Sequence, residues 1–151
     1  MVLFLTRIQE EKVTVKANSI WQPKQFRVHN QFDFHIDDPS LYYCSILRYL
    51  RPHRQLVISV NEKKDNPEAI FYLGFEGVWY FQGPTNWQGS DFELAEVDER
   101  RKLLQRGFLE VEENQIEVVA SLHQLFVLHK PKFNIEILAG SCIILKELVN
   151  S

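Results

Sequence analysis

Cysteine, methionine, glycine and proline are all scarce in this chain, and most of these scarcities remove an explanation. The two cysteines, Cys44 and Cys142, stand far apart and in no CxxC pair. They build neither a disulfide framework nor a paired metal knuckle, and each reads as a small buried apolar residue. Six glycines and six prolines in 151 residues leave no low-complexity tract and no Gly/Ser linker. With no internal repeat either, one domain over 1–151 is expected. The phosphate-cradling patterns GxGxxG and GxxxxGK are missing, as are the nucleophile elbow GxSxG and the metal helix HExxH. No motif therefore calls for a cofactor, and several enzyme classes lose their support.

No apolar run approaches the ~20 residues that a membrane helix needs. The opening MVLFLTRI lacks a basic leader and is too short for a signal core followed by a cleavage site. A cytoplasmic, intracellular protein without a membrane partner is the expectation. Positive charge is also in short supply, with 17 Lys and Arg against 20 Asp and Glu and a formal net charge of −3. That balance disfavours broad electrostatic binding to nucleic acid or anionic lipid.

What the chain does have is aromatic residues, above all 11 Phe, within a 45% hydrophobic and 25% charged composition. These are globular proportions, and the aromatic, β-branched bias leans toward sheet. VLFLTRI and KVTVKA read as a strand pair. From Phe26 to Asp37, apolar and polar residues alternate with a single break at Asn30. DDPSLYYCSILRYLRP reads as a helix, capped by Asp38, started by Pro39 and stopped by Pro52, with Tyr42, Ile46, Tyr49 and Leu50 as its stripe. QLVISVN, AIFYLGF and VWYFQ follow as strands, the last two joined as a hairpin at Glu76-Gly77. FELAEV is either strand or helix, Ser90 and Glu93 having capping-box spacing. DERRKLLQR reads as a second helix, started by Asp98 and ended by Gly107. After it FLEVE, QIEVVASL, QLFVLHK, FNIEILAG and CIILKEL read as strands, the last of which could instead be a terminal helix turn. The sum is an α+β fold, mainly antiparallel β in a curved sheet or partly closed barrel, with one or two helices packed against it.

Four stretches are candidates for chemistry or binding. Asp33, His35 and Asp37 alternate with apolar residues, so a strand there aligns two carboxylates and an imidazole. Those donors suit zinc, iron or manganese, and a small metal-dependent hydrolase or oxygenase is the alternative reading. Three successive same-face residues spread too far for one ion, however, so a further ligand would have to come from elsewhere. The wet side of an amphipathic strand is the simpler reading. RPHR, residues 51–54, could hold an anion, although basic clusters are usually just solvated. ERRKLLQRGFLEVEENQIEVV resembles the last helix and wing of a winged-helix domain, which would imply DNA binding. Glu110, Glu112, Glu113 and Glu117 in that wing would repel phosphates, so nucleic acid is not expected.

The fourth stretch is FYLGFEGVWYFQGPTNWQGSDFEL, which carries two of the three tryptophans. Both faces of its strands bear large apolar groups, and QGPTNWQGS reads as a loop flexible at both glycines. Trp79, Phe81 and Trp87 are the candidate binding residues, since aromatic side chains dominate interface energetics. A plug closing the end of a barrel is the competing role for Trp87. The leading expectation is a non-enzymatic binding module using this aromatic surface or pocket. Its occupant would be a protein partner, a second copy of the chain, or a small apolar ligand.

Overall fold

A computed structural model describes residues 27–29, 38–65, 68–106, 111–145 and 148. The strand pair expected at the start and most of the alternating run 26–37 lie outside these residues. The described strands are β1 (Arg27–His29), β2 (Tyr43–Leu50), β3 (Gln55–Asn61), β4 (Phe71–Glu76), β5 (Tyr80–Gln82), β6 (Asn86–Gln88), β7 (Glu93–Leu94), β8 (Gln124–His129), β9 (Asn134–Ala139) and β10 (Ser141–Leu145). Two short helices, α1 (Val97–Gln105) and α2 (Ile116–Leu122), accompany them. One sheet runs β1-β10-β4-β3-β2-β6 and the other β5-β9-β8-β7. Every described pairing is antiparallel except that of β1 with β10. The expected α+β class with helices against antiparallel sheet is what the chain forms.

The layers follow from the alternation of side chains along each strand. Leu56, Ile58 and Val60 of β3, Phe71, Leu73 and Phe75 of β4, and Cys142 and Ile144 of β10 point into one core. Phe126 and Leu128 of β8 and Ile135, Ile137 and Ala139 of β9 enter the same core from the second sheet. At its centre the Phe75 ring meets Phe126 edge-on at 5.1 Å and Phe92 at 5.7 Å, geometry that aromatic quadrupoles favour. The opposite side of the second sheet is apolar too. Leu125, Val127 and Leu138 pack there against Leu103 and Leu104 of α1 and Ile116, Val119 and Ala120 of α2. Burial on both faces explains why QLFVLH reads as an unbroken apolar run.

The segment expected to be the clearest helix is β2. Its start signals operate, but only over a single 3-10 turn, Pro39–Leu41, where Asp38 Oδ1 accepts from Ser40 N–H at 2.9 Å. Beyond it the backbone pairs with β3 on one side and β6 on the other. The helical spacing of Tyr42, Ile46 and Tyr49 has a strand origin: a step of four keeps the same face. The step of three is absorbed by an irregularity between Ile46 and Arg48, which leaves Leu47 unpaired and returns Tyr49 to the face of Leu56. QIEVVASL errs the other way, forming a 3-10 turn and α2 where a strand was expected. Ile116, Val119 and Ala120 are its buried stripe at helical spacing, whereas Val118 and Leu122 are exposed. A helix in this position also replaces the second strand of the wing in the winged-helix resemblance. Arg100 of α1 closes α2 by donating from Nη1 to the carbonyls of Ala120 (2.7 Å) and His123 (2.5 Å).

Glu76-Gly77 is a corner rather than a hairpin turn. Gly77, at φ +62°, carries the chain out of the first sheet and into the second. The return crossing, from β9 to β10, runs beside it at Gly140, whose N–H reaches Glu76 O at 2.8 Å. A Cβ on Gly77 would lie 3.6 Å from Gly140 N, so the two crossings are nearly in contact. The second helix forms as α1, though with Glu96 rather than Asp98 at its N-cap. Gly107 lies outside the described residues, as do residues 108–110 of FLEVE. Glu93 is in β7, so it forms no capping box with Ser90.

Candidate functional site

The three candidate aromatics do not share one surface. Trp79 is half-buried against the helical layer, where it meets the His123 ring edge-on with the ring centres 5.5 Å apart. Its other neighbour is the Arg54 guanidinium, 5.0 Å from the indole centre. Phe81, one register step along β5, pairs with Ile137 and packs half-buried against the core between the sheets. Trp87 belongs to the first sheet, where only 5% of it is exposed. Its indole N–H donates to Gly89 O at 2.8 Å, and its ring meets Phe92 edge-on at 6.3 Å.

The loop around Trp87 is pinned rather than flexible. Residues 86–88 form β6 along the edge of β2, in the register Tyr43 to Gln88, Cys44 to Trp87 and Ser45 to Asn86. Ser90, fully buried, donates from both its amide (2.8 Å) and its hydroxyl (2.7 Å) to Pro39 O. Gly89 lies at φ +122°, and a Cβ there would come within 3.2–3.3 Å of Asp91, Leu128 and Lys130. No other residue fits that position without displacement.

Burying Trp87 turns its neighbours outward. Tyr43 and Ser45 of β2 and Asn86 and Gln88 of β6 share the face away from the core. With Lys64 and Asp65 from the β3–β4 connection, they line an open cleft of about 580 Å³. The cleft is polar-walled, with Tyr43 as its aromatic side chain. At its rim, among the described residues, the main chain of β6 pairs on one side only. Gly89 N–H reaches Tyr42 O at 2.7 Å and Ile46 N–H reaches Thr85 O at 2.9 Å. In the alternating antiparallel pattern, Trp87 therefore also turns its amide and carbonyl toward Cys44, while Asn86 and Gln88 turn theirs away from the sheet. β6 is an outer strand, and no described residue pairs with those outward groups. Sequence reasoning passed over this rim because it rests on which residues of a three-residue strand face inward, which only the partner strand decides.

Neither thiol is equipped for chemistry. Cys44 is fully buried, its S–H aimed at Gly89 O at 3.3 Å, and Cys142 is 4% exposed. Burial pushes both well above the ordinary thiol range, with Asp91 near Cys44 and Glu76 near Cys142 acting in the same direction. A stability consequence has a definite sign. An unfolded chain loses its thiol protons above about pH 8.5, whereas the folded chain keeps them. Stability is therefore expected to fall as pH rises beyond that point, by up to ~1.4 kcal/mol per pH unit for each thiol. Urea unfolding at pH 8 and pH 10 measures the slope, and Cys142→Ala should reduce it.

Asp33, His35 and Asp37 lie outside the described residues. Among the described residues, no group of three or more His, Cys, Asp or Glu side chains is placed to hold a metal ion. His123 and His129 go to different elements, one capping α2 and the other ending β8. Among the described residues, no helix is long and apolar enough to cross a membrane. Comparison of the chain with protein-family models, with curated proteins and with solved structures returned no match.

Proposed function

We propose that the chain is a non-enzymatic binding module that takes an extended segment of a protein partner along β6. The single observation carrying this reading is the open rim of the cleft. The amides and carbonyls of Asn86 and Gln88 face outward on a strand that Trp87 and Ser90 hold rigid. An extended backbone is the partner that satisfies such a row of alternating donors and acceptors. Main-chain bonds would supply affinity, and the cleft would read alternate side chains through Tyr43, Ser45, Lys64 and Asp65. Trp87 serves this site from behind as its anchor to the core, and Trp79 and Phe81 stand apart from it. The polar walls favour a peptide over a small apolar ligand. A second copy pairing edge to edge is the other protein occupant, and sedimentation separates it from a foreign peptide.

Asn86→Pro tests the reading because it deletes one outward amide and leaves the β2 pairing of Trp87 in place. Peptides selected from a random library on the immobilised wild-type protein are expected to bind the variant about tenfold more weakly. The melting midpoint should move by only a few degrees. Selected peptides that bind both proteins equally, or a library that yields none, would remove the β6 rim as the binding site.

A further inference from the structure

A second site stands at the opposite end of β2, independent of the β6 rim. There Arg51, Pro52 and His53 form a 3-10 turn that ends in Arg54 at φ 46°. Arg54 is the sole non-glycine residue at positive φ among those described. Its backbone is tied on both sides, its N–H donating to Arg51 O at 3.2 Å and its carbonyl accepting from Val78 N–H at 2.9 Å. The second bond sets Trp79, the next residue, beneath the Arg54 side chain. The guanidinium lies over the indole at 5.0 Å, and His123 borders the same ring from the α2 side. A stacked guanidinium uses its flat face and leaves the N–H edge for a planar oxyanion.

The charge environment separates this cluster from an ordinary solvated turn. Arg101 of α1 is paired with Asp98 at 2.5 Å and Glu117 at 2.7 Å, and Lys102 lies 3.9 Å from Glu99. Arg51, His53 and Arg54 are exposed, yet no described carboxylate reaches any of them. In a chain with more acids than bases, three basic side chains in four residues stand together without a carboxylate partner among the described residues. We propose that Arg51, His53 and Arg54, with Arg54 oriented by Trp79, form a binding site for the phosphate group of a small ligand. Two guanidiniums and an imidazole match a dianion better than a single carboxylate. The charge-assisted bonds come from Arg51 and Arg54, and the half-exposed Trp79 edge is available to whatever carries the phosphate.

The test follows the Trp79 indole and Arg54 amide resonances while inorganic phosphate, and separately phenyl phosphate, is titrated at constant ionic strength. Saturable shifts at these two residues support the site. Tighter binding of phenyl phosphate would identify an organic phosphate as the ligand, and equal binding would identify free phosphate. The double variant Arg51→Gln with Arg54→Gln, both on the exposed turn, should weaken binding at least about tenfold while the melting midpoint moves by only a few degrees. Shifts that do not saturate, that chloride reproduces, or that persist unchanged in the double variant would overturn the proposal.

Discussion

Phe75→Ala is expected to lower the unfolding free energy by about 3–5 kcal/mol, read from urea denaturation. The side chain is fully buried on β4 and touches both halves of the core, with Phe126 at 5.1 Å from the second sheet and Phe92 at 5.7 Å. Its removal costs the transfer of a large ring and leaves a cavity between the two sheets, which surrounding side chains relax into only in part. Phe75→Leu with Phe126→Leu isolates the edge-on contact. The two losses should fall short of additive by about 0.5–1.5 kcal/mol. Additive losses would mean that the rings act only as apolar volume.

Trp87→Ala carries an expected loss of similar size, about 3–5 kcal/mol, with a different spatial pattern. The indole fills the core next to Phe92 and also bonds Gly89 O, so the substitution loosens β6 as well as the packing. Hydrogen exchange should quicken first at Trp87, Gly89 and Ser90, whose amides are held by β2 and by Pro39. Trp87→Phe keeps most of the volume and loses the indole N–H. Gly89 O still accepts from the Cys44 thiol, so that variant should cost about 1–2 kcal/mol. A Trp87→Ala protein with unchanged stability would contradict the burial of this side chain.

The aromatic stretch shows how far the sequence was legible. Its strands β4 and β5 were plain from composition, and so were β3, β8 and β9 within a residue or two, whereas β6 read as a flexible loop and β7 as either strand or helix. The Glu-Gly step between aromatic runs marks a real change of direction between two strands, but it reads as a hairpin where the structure forms a corner. Whether such a step folds back onto its own strand or crosses to another sheet depends on contacts with Arg54, Leu138 and Gly140. All three are remote in sequence, so the hairpin expectation had nothing local to correct it. The two exchanged elements have a related cause. β2 imitates a helix because its irregularity at Leu47 inserts an odd step into an even pattern. α2 imitates a strand because Ile116, Val118 and Val119 are β-branched residues held helical by α1 and by the Arg100 cap. For the candidate site, the importance of Trp87 was visible but its direction was not. A tryptophan between polar residues reads equally as an exposed anchor or as a buried pin, and the fully buried Ser90 that decides the matter looks like any loop serine.

The place of β10 has a consequence for how the molecule comes into being. This strand is the last of those described, yet it lies inside the first sheet, between β1 and β4. While the chain is being made, β4 must wait with one edge bare until residues 141–145 have left the ribosome. The parallel partner β1, made first, can join only after β10 is seated. The nascent protein thus makes residues 77–140 with Phe71, Leu73 and Phe75 on an unfinished sheet, a state prone to pairing with other chains. Production should respond to temperature and chaperone supply more than the stability of the finished fold would suggest.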